Sequence, residues 1–152
     1  MNKLLNLSGL AAILMAAPAS ALTYSCVLTD SRNSGWAPEK LVFEVLHGDA
    51  TARTYDPITY SVSGELAEAK VATANSVRVS LSWKSGRYNN PKARPSRDYA
   101  ANSALPITYT ATLLRGGNKI LLRATPSGLN TFYSAKGACV ESNAPLEQLV
   151  NP

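Results

Sequence analysis

One histidine, two cysteines and ten carboxylates are a thin supply of acid–base groups and metal ligands for 152 residues. No two of them stand at metal-ligand spacing with a third to complete a set, so neither a zinc nor a calcium site is expected. Beyond residue 21 there is no G-x-S-x-G elbow and no S-x-x-K motif, which removes the common signatures of an activated serine. No glycine loop suited to cradling phosphates is present either, because Gly116-Gly117 reads as a hairpin turn. The carboxylate pairs Glu65/Glu68 and Glu39/Glu44 read as solvated charge, and His47, beside Gly48-Asp49, reads as a turn residue. A protein without cofactor or metal, and without catalytic residues, is expected. An enzyme with an unrecognised site is the alternative.

Long apolar runs are equally scarce. Residues 4–17 form the one such run, interrupted by Asn6, Ser8 and Gly9 and followed by Pro18. Lys3 ahead of it and Ala19-Ser20-Ala21 behind it complete the three parts of a secretory signal peptide, with cleavage between Ala21 and Leu22. Cys26 stands five residues past Ala21, too far to be a lipidated first residue. The expected organisation is a signal peptide over residues 1–21, a β domain over 22–139 and a polar tail over 140–152. The tail is read as a frayed turn or short helix. Localisation is expected to be periplasmic or extracellular, with no membrane span in the mature chain.

Cysteine is scarce but well placed. Cys26 and Cys139 stand near the two ends of the mature chain, and in an oxidising compartment a lone pair has one possible connectivity. Their bridge closes nearly the whole domain and contributes about 4–5 kcal/mol on the loop-entropy account.

What the chain has in quantity is short β-type segments between turn signals. Strands are expected over 22–29, 40–46, 51–55, 58–62, 76–83, 107–114, 119–125 and 131–135, with 70–73 as a short candidate beside them and a trace of helical periodicity at 64–69. The alternation of Val77, Val79, Leu81 and Trp83 with Arg78, Ser80 and Ser82 is the clearest case. Without crossover helices this implies an all-β fold, a small antiparallel barrel or sandwich of seven or eight strands with its first and last strands joined by the disulfide. Pro57-Ile58-Thr59-Tyr60-Ser61-Val62 echoes Pro106-Ile107-Thr108-Tyr109-Thr110-Ala111, a likeness read as common strand composition. Trp36, Phe43, Tyr60, Trp83, Tyr109, Phe132 and Tyr133 are expected to fill the interior rather than line a ligand cavity.

Charge is concentrated in one place. Residues 84–99 carry five cations and one anion, a net of +4, and the remainder of the mature chain is neutral. Read as a binding loop, Lys84, Arg87, Lys92, Arg94 and Arg97 contact phosphates or carboxylates while Tyr88 and Tyr99 stack on rings. Read otherwise, the segment is a solvated, proline-stiffened excursion. The first reading makes the protein an envelope-associated binding module for an anionic polymer, a lipid surface or another protein, with no specific nucleic acid expected. A small-ligand carrier and a protein-inhibitor module are the other non-enzymatic alternatives.

Tyr24-Ser25-Cys26, Gly137-Ala138-Cys139 and Ser85-Gly86-Arg87-Tyr88 resemble stretches of small periplasmic barrels that inhibit lysozyme. The resemblance is confined to these segments. It implies a cationic enzyme as partner, whereas the excess charge here is itself positive, so membership of that family is not assigned. N-terminal sequencing of the exported protein is expected to return Leu22-Thr23-Tyr24. A sequence starting at Met1 would overturn the signal-peptide reading.

Overall fold

The computed structural model describes residues 21–45, 48, 50–94 and 103–150. The signal-peptide reading for residues 1–20, the turn residue His47 and the loop candidates Arg97 and Tyr99 lie outside the described residues.

Eight antiparallel strands follow one another in chain order around a closed barrel. They are β1 (Leu22–Asp30), β2 (Lys40–Val45), β3 (Thr51–Tyr55), β4 (Ala67–Ala74), β5 (Arg78–Tyr88), β6 (Leu105–Leu114), β7 (Lys119–Pro126) and β8 (Tyr133–Ser142). The two-residue period decides which side chains enter. Along β7, Ile120, Leu122 and Ala124 are buried while Lys119, Leu121 and Arg123 are exposed. The inward sets of all eight strands meet in one core, in which Tyr24 stacks on Phe43 (5.0 Å) and Trp83 on Tyr109 (5.2 Å). An eight-stranded barrel is just wide enough to be filled this way. Among the expected interior aromatics, Trp36, Phe43, Trp83 and Tyr109 are buried, Tyr133 is half-buried, and Tyr60 and Phe132 are exposed. At the rim where β1 begins, the Arg115 guanidinium lies 5.9 Å from the Tyr24 ring centre.

Closure is made by β8 pairing back onto β1, and Cys26 stands directly opposite Cys139 in that ladder. Their Cα atoms are 3.9 Å apart and the disulfide joins residues 113 positions apart. Two residues along, Gly137 meets β1 so closely that a Cβ there would lie 1.8 Å from the Val27 carbonyl oxygen. Only glycine lets the two strands meet at this point.

Three local expectations are corrected. The 58–62 strand is instead a helix, α1 (Pro57–Ser63). Asp56 caps it by accepting from the Thr59 amide (2.8 Å), Pro57 occupies its first turn, and Gly64 ends it in the left-handed region at φ 72°. The helical trace at 64–69 accordingly gives way to β4. The same buried Asp56 accepts from Trp83 Nε1 at 2.8 Å, fastening α1 to β5. Lys84, Arg87 and Tyr88, read as loop, belong to β5. The strand slips register against β6 between Lys84 and Arg87, where the Ser85 hydroxyl accepts from the Ile107 amide (3.0 Å) and replaces a ladder bond.

The tail leaves β8 at Ser142 and forms a second short helix, α2 (Leu146–Val150), against β2. Leu146 is fully buried, Lys40 Nζ donates to the Leu149 carbonyl (3.0 Å), and Arg53 bridges Glu147 and Glu44.

Gly137→Ala is expected to destabilise the barrel at least as much as Cys139→Ser, whose cost is about 2–5 kcal/mol. Denaturant titration of both variants checks this. A Gly137→Ala protein within 1 kcal/mol of the parent, on the order of a surface change, would mean that the seam relaxes freely.

Candidate functional site

The rim opposite the start of β1 carries residues 31–39, 89–94 and 127–132, as well as α1. Asp30, at the end of β1, organises the first of these. Its carboxylate accepts from the Arg32 amide (3.0 Å), the Ser34 amide (2.7 Å) and the Ser34 hydroxyl (2.5 Å). This is the short side-chain turn for which aspartate is suited. Asn33 and Gly35 then take positive φ, and a Cβ on Gly35 would sit 2.4 Å from Asn90 Oδ1.

Asn90 is the clamp between two connections. It is buried, donates from Nδ2 to the Ser34 carbonyl (2.9 Å) and accepts at Oδ1 from the Lys92 amide (2.9 Å). Lys92 Nζ in turn donates to Asn33 Oδ1 at 2.5 Å. Two loops distant in sequence are thereby held side by side.

Between them and the 127–132 connection opens a cleft of about 680 Å³. Arg32, Lys92 and Arg94 supply its charge, half-buried Tyr133 its ring surface with buried Trp36 behind it, and Asn130 and Thr131 its neutral polar groups. No carboxylate, histidine or cysteine occurs among its described lining residues. The Trp36 and Tyr133 rings lie 6.2 Å apart at 28°, and Tyr88 meets the edge of Trp36 at 6.2 Å and 77°. From below, the Tyr109 hydroxyl donates to the Trp36 carbonyl at 3.0 Å. Such a surface can hold an anionic group on the cations while a flat or pyranose ring rests against the Tyr133 ring. A neighbouring groove of about 580 Å³ shares Asn33 and Lys92 with it and is lined by Val27, Ile58 and Tyr88 together with Asp30 and Glu39.

Of the residues singled out from sequence, Lys92 and Arg94 line the cleft and Tyr88 buttresses it. Lys84 and Arg87 are exposed on β5 and do not line it. Arg32, Trp36 and Tyr133 were not foreseen as cleft residues, because two come from another loop and the third from the start of β8. The turn-forming run Asp30-Ser31-Arg32-Asn33-Ser34-Gly35 just before Trp36 is the signal that could have shown two of them. Comparison with protein-family models, with curated proteins and with solved structures found no match for the chain.

Burial pushes the Tyr109 phenol far above the usual tyrosine range, with Asp56 and Tyr88 adding to the effect. Its ionisation is therefore confined to the unfolded chain. The stability it contributes is full below the ordinary value of 10.0 and falls as pH rises beyond it. Tyr109→Phe is expected to make this alkaline loss shallower. It should also cost about 1–3 kcal/mol at neutral pH, because the buried Trp36 carbonyl loses its donor. Unfolding midpoints and tryptophan fluorescence across pH 7–11 read both effects, and an unchanged alkaline branch would refute the assignment.

Proposed function

We propose that this protein is a non-catalytic binding module of an oxidising compartment, periplasmic or extracellular, that takes an acidic glycan in the rim cleft. The observation that carries the reading is the gathering of Arg32, Lys92 and Arg94 in one cleft with the half-buried Tyr133 ring, with no carboxylate among the described lining residues. Cations from two clamped loops favour phosphate or carboxylate groups. Aromatic faces favour the apolar side of a sugar ring, and Asn130 and Thr131 offer partners to its hydroxyls. The Asn90 clamp supports affinity by fixing the cations in advance, so less ordering remains for binding.

Two further features support the cleft over its alternatives. The barrel interior is occupied by stacked aromatic and aliphatic side chains, which suits a scaffold better than a carrier of small apolar ligands. The disulfide suits a compartment where thiols oxidise.

Binding of a heparin-like polymer and of lipopolysaccharide, followed by calorimetry at low and at physiological salt, tests the proposal. Affinity is expected to fall with salt, since exposed charges are screened within about 8–10 Å. Replacing Arg32, Lys92 and Arg94 together by serine should weaken binding by about two orders of magnitude, at roughly 1 kcal/mol for each exposed contact. Salt-independent binding, or a triple variant equal to the parent, would overturn it.

A further inference from the structure

The cations outside the cleft are sorted by wall. On β2, β3 and β4 the outward charges are mixed: Lys40, Glu44, Arg53, Glu68 and Lys70. The two ion pairs among the described residues, both made by Arg53, are on that side. Four strands further round, the outward positions of β6, β7 and β8 carry Lys119, Arg123 and Lys136, and the one carboxylate on these three strands is exposed Glu141, beside Val140 near the end of β8. None of these three has a carboxylate within ion-pair distance among the described residues.

The same wall exposes apolar side chains between its cations. Leu121 lies on β7 between Lys119 and Arg123, with Lys136 opposite it in the ladder, and is 52% exposed. Val140 on β8 is 70% exposed. Phe132, 46% exposed, lies under the Arg123 guanidinium at 4.0 Å from its ring centre. The remaining outward positions of β6 are mainly threonines.

We propose that this wall docks flat on an anionic phospholipid surface. A hydrophilic polyanion would be met by the cations alone and would leave Leu121, Val140 and Phe132 in water. A bilayer interface satisfies both classes, because cations reach headgroup phosphates while neighbouring apolar side chains enter the boundary region. The contact proposed is made by a sheet face, and no helix among the described residues is long and apolar enough to cross a membrane.

The surface is distinct from the rim cleft, and substitutions separate the two. Every paired strand lies between residues 22 and 142, so the chain starting at Leu22 contains the whole closed barrel and is the form to test. Co-sedimentation is measured with vesicles of phosphatidylglycerol and phosphatidylcholine, and with phosphatidylcholine alone. Binding to the anionic vesicles is expected, weakening with salt. Each charge near such a surface changes partitioning by about fivefold, so replacing Lys119, Arg123 and Lys136 by serine should lower it by roughly a hundredfold. Leu121→Ser, which leaves the charge unchanged, should lower it by about fivefold and leave heparin binding as it was. All four positions are exposed, so thermal unfolding should stay close to that of the parent. Replacing Arg32, Lys92 and Arg94 should leave vesicle binding within about twofold. The proposal is overturned by absent binding to anionic vesicles, by a wall triple variant that binds like the parent, by a silent Leu121→Ser, or by loss of vesicle binding through the cleft triple variant.

Discussion

Everything in this molecule depends on β8 finding β1. The other seven pairings join strands adjacent in sequence, whereas this one joins residues more than a hundred positions apart. Without it the barrel is an open sheet with two bare edges and an interior exposed to water. Two features make the closure specific. The disulfide sets Cys26 against Cys139, and the missing side chain at Gly137 allows the strands to approach where any Cβ would strike the Val27 carbonyl. One limits the unfolded chain and the other permits the folded one, so the two act on opposite ends of the same equilibrium.

The rim inherits its order from that closure. A closed wall fixes where each strand ends, and the ends bring residues 31–39, 89–94 and 127–132 together. Polar side chains then do locally what packing does inside. Asp30 winds the first loop, Asn90 ties it to the segment that follows β5, and Asp56 joins helix α1 to Trp83 through one carboxylate. Asp56 and Asn90 are buried and each satisfies more than one partner, which makes them connectors rather than surface ornaments.

The strands were legible in the sequence because alternation over 76–83, 107–114 and 119–125 matches the pleat. The echoed segments show where that legibility stops. Pro57-Ile58-Thr59-Tyr60 and Pro106-Ile107-Thr108-Tyr109 share four residues in order, yet one is helix and the other strand. The difference lies beside them. Asp56 offers a cap and Gly64 a left-handed stop, while Leu105 leads directly into a ladder with β5. β-propensity yields to capping when the run is short. Lys84, Arg87 and Tyr88 were read as loop because the charge and prolines of residues 84–99 set that stretch apart, and a register slip carries the strand through. Half the cleft was hidden for a different reason. Lys92 and Arg94 announce themselves by charge density, but Arg32 and Trp36 join them through the clamp at Asn90 and Tyr133 through its pairing in the barrel, which no single stretch of sequence reveals.

β1 enters the barrel at the rim farthest from the cleft, beside Arg115 and Tyr24. The chain is thus threaded so that whatever precedes Leu22 emerges on one side and the cationic mouth opens on the other. A leader, a tether or a fused partner at that end acts like a handle on the base of a cup. It can be held, pulled or cut without obstructing the opening, and a protein fixed by it would present its mouth outward.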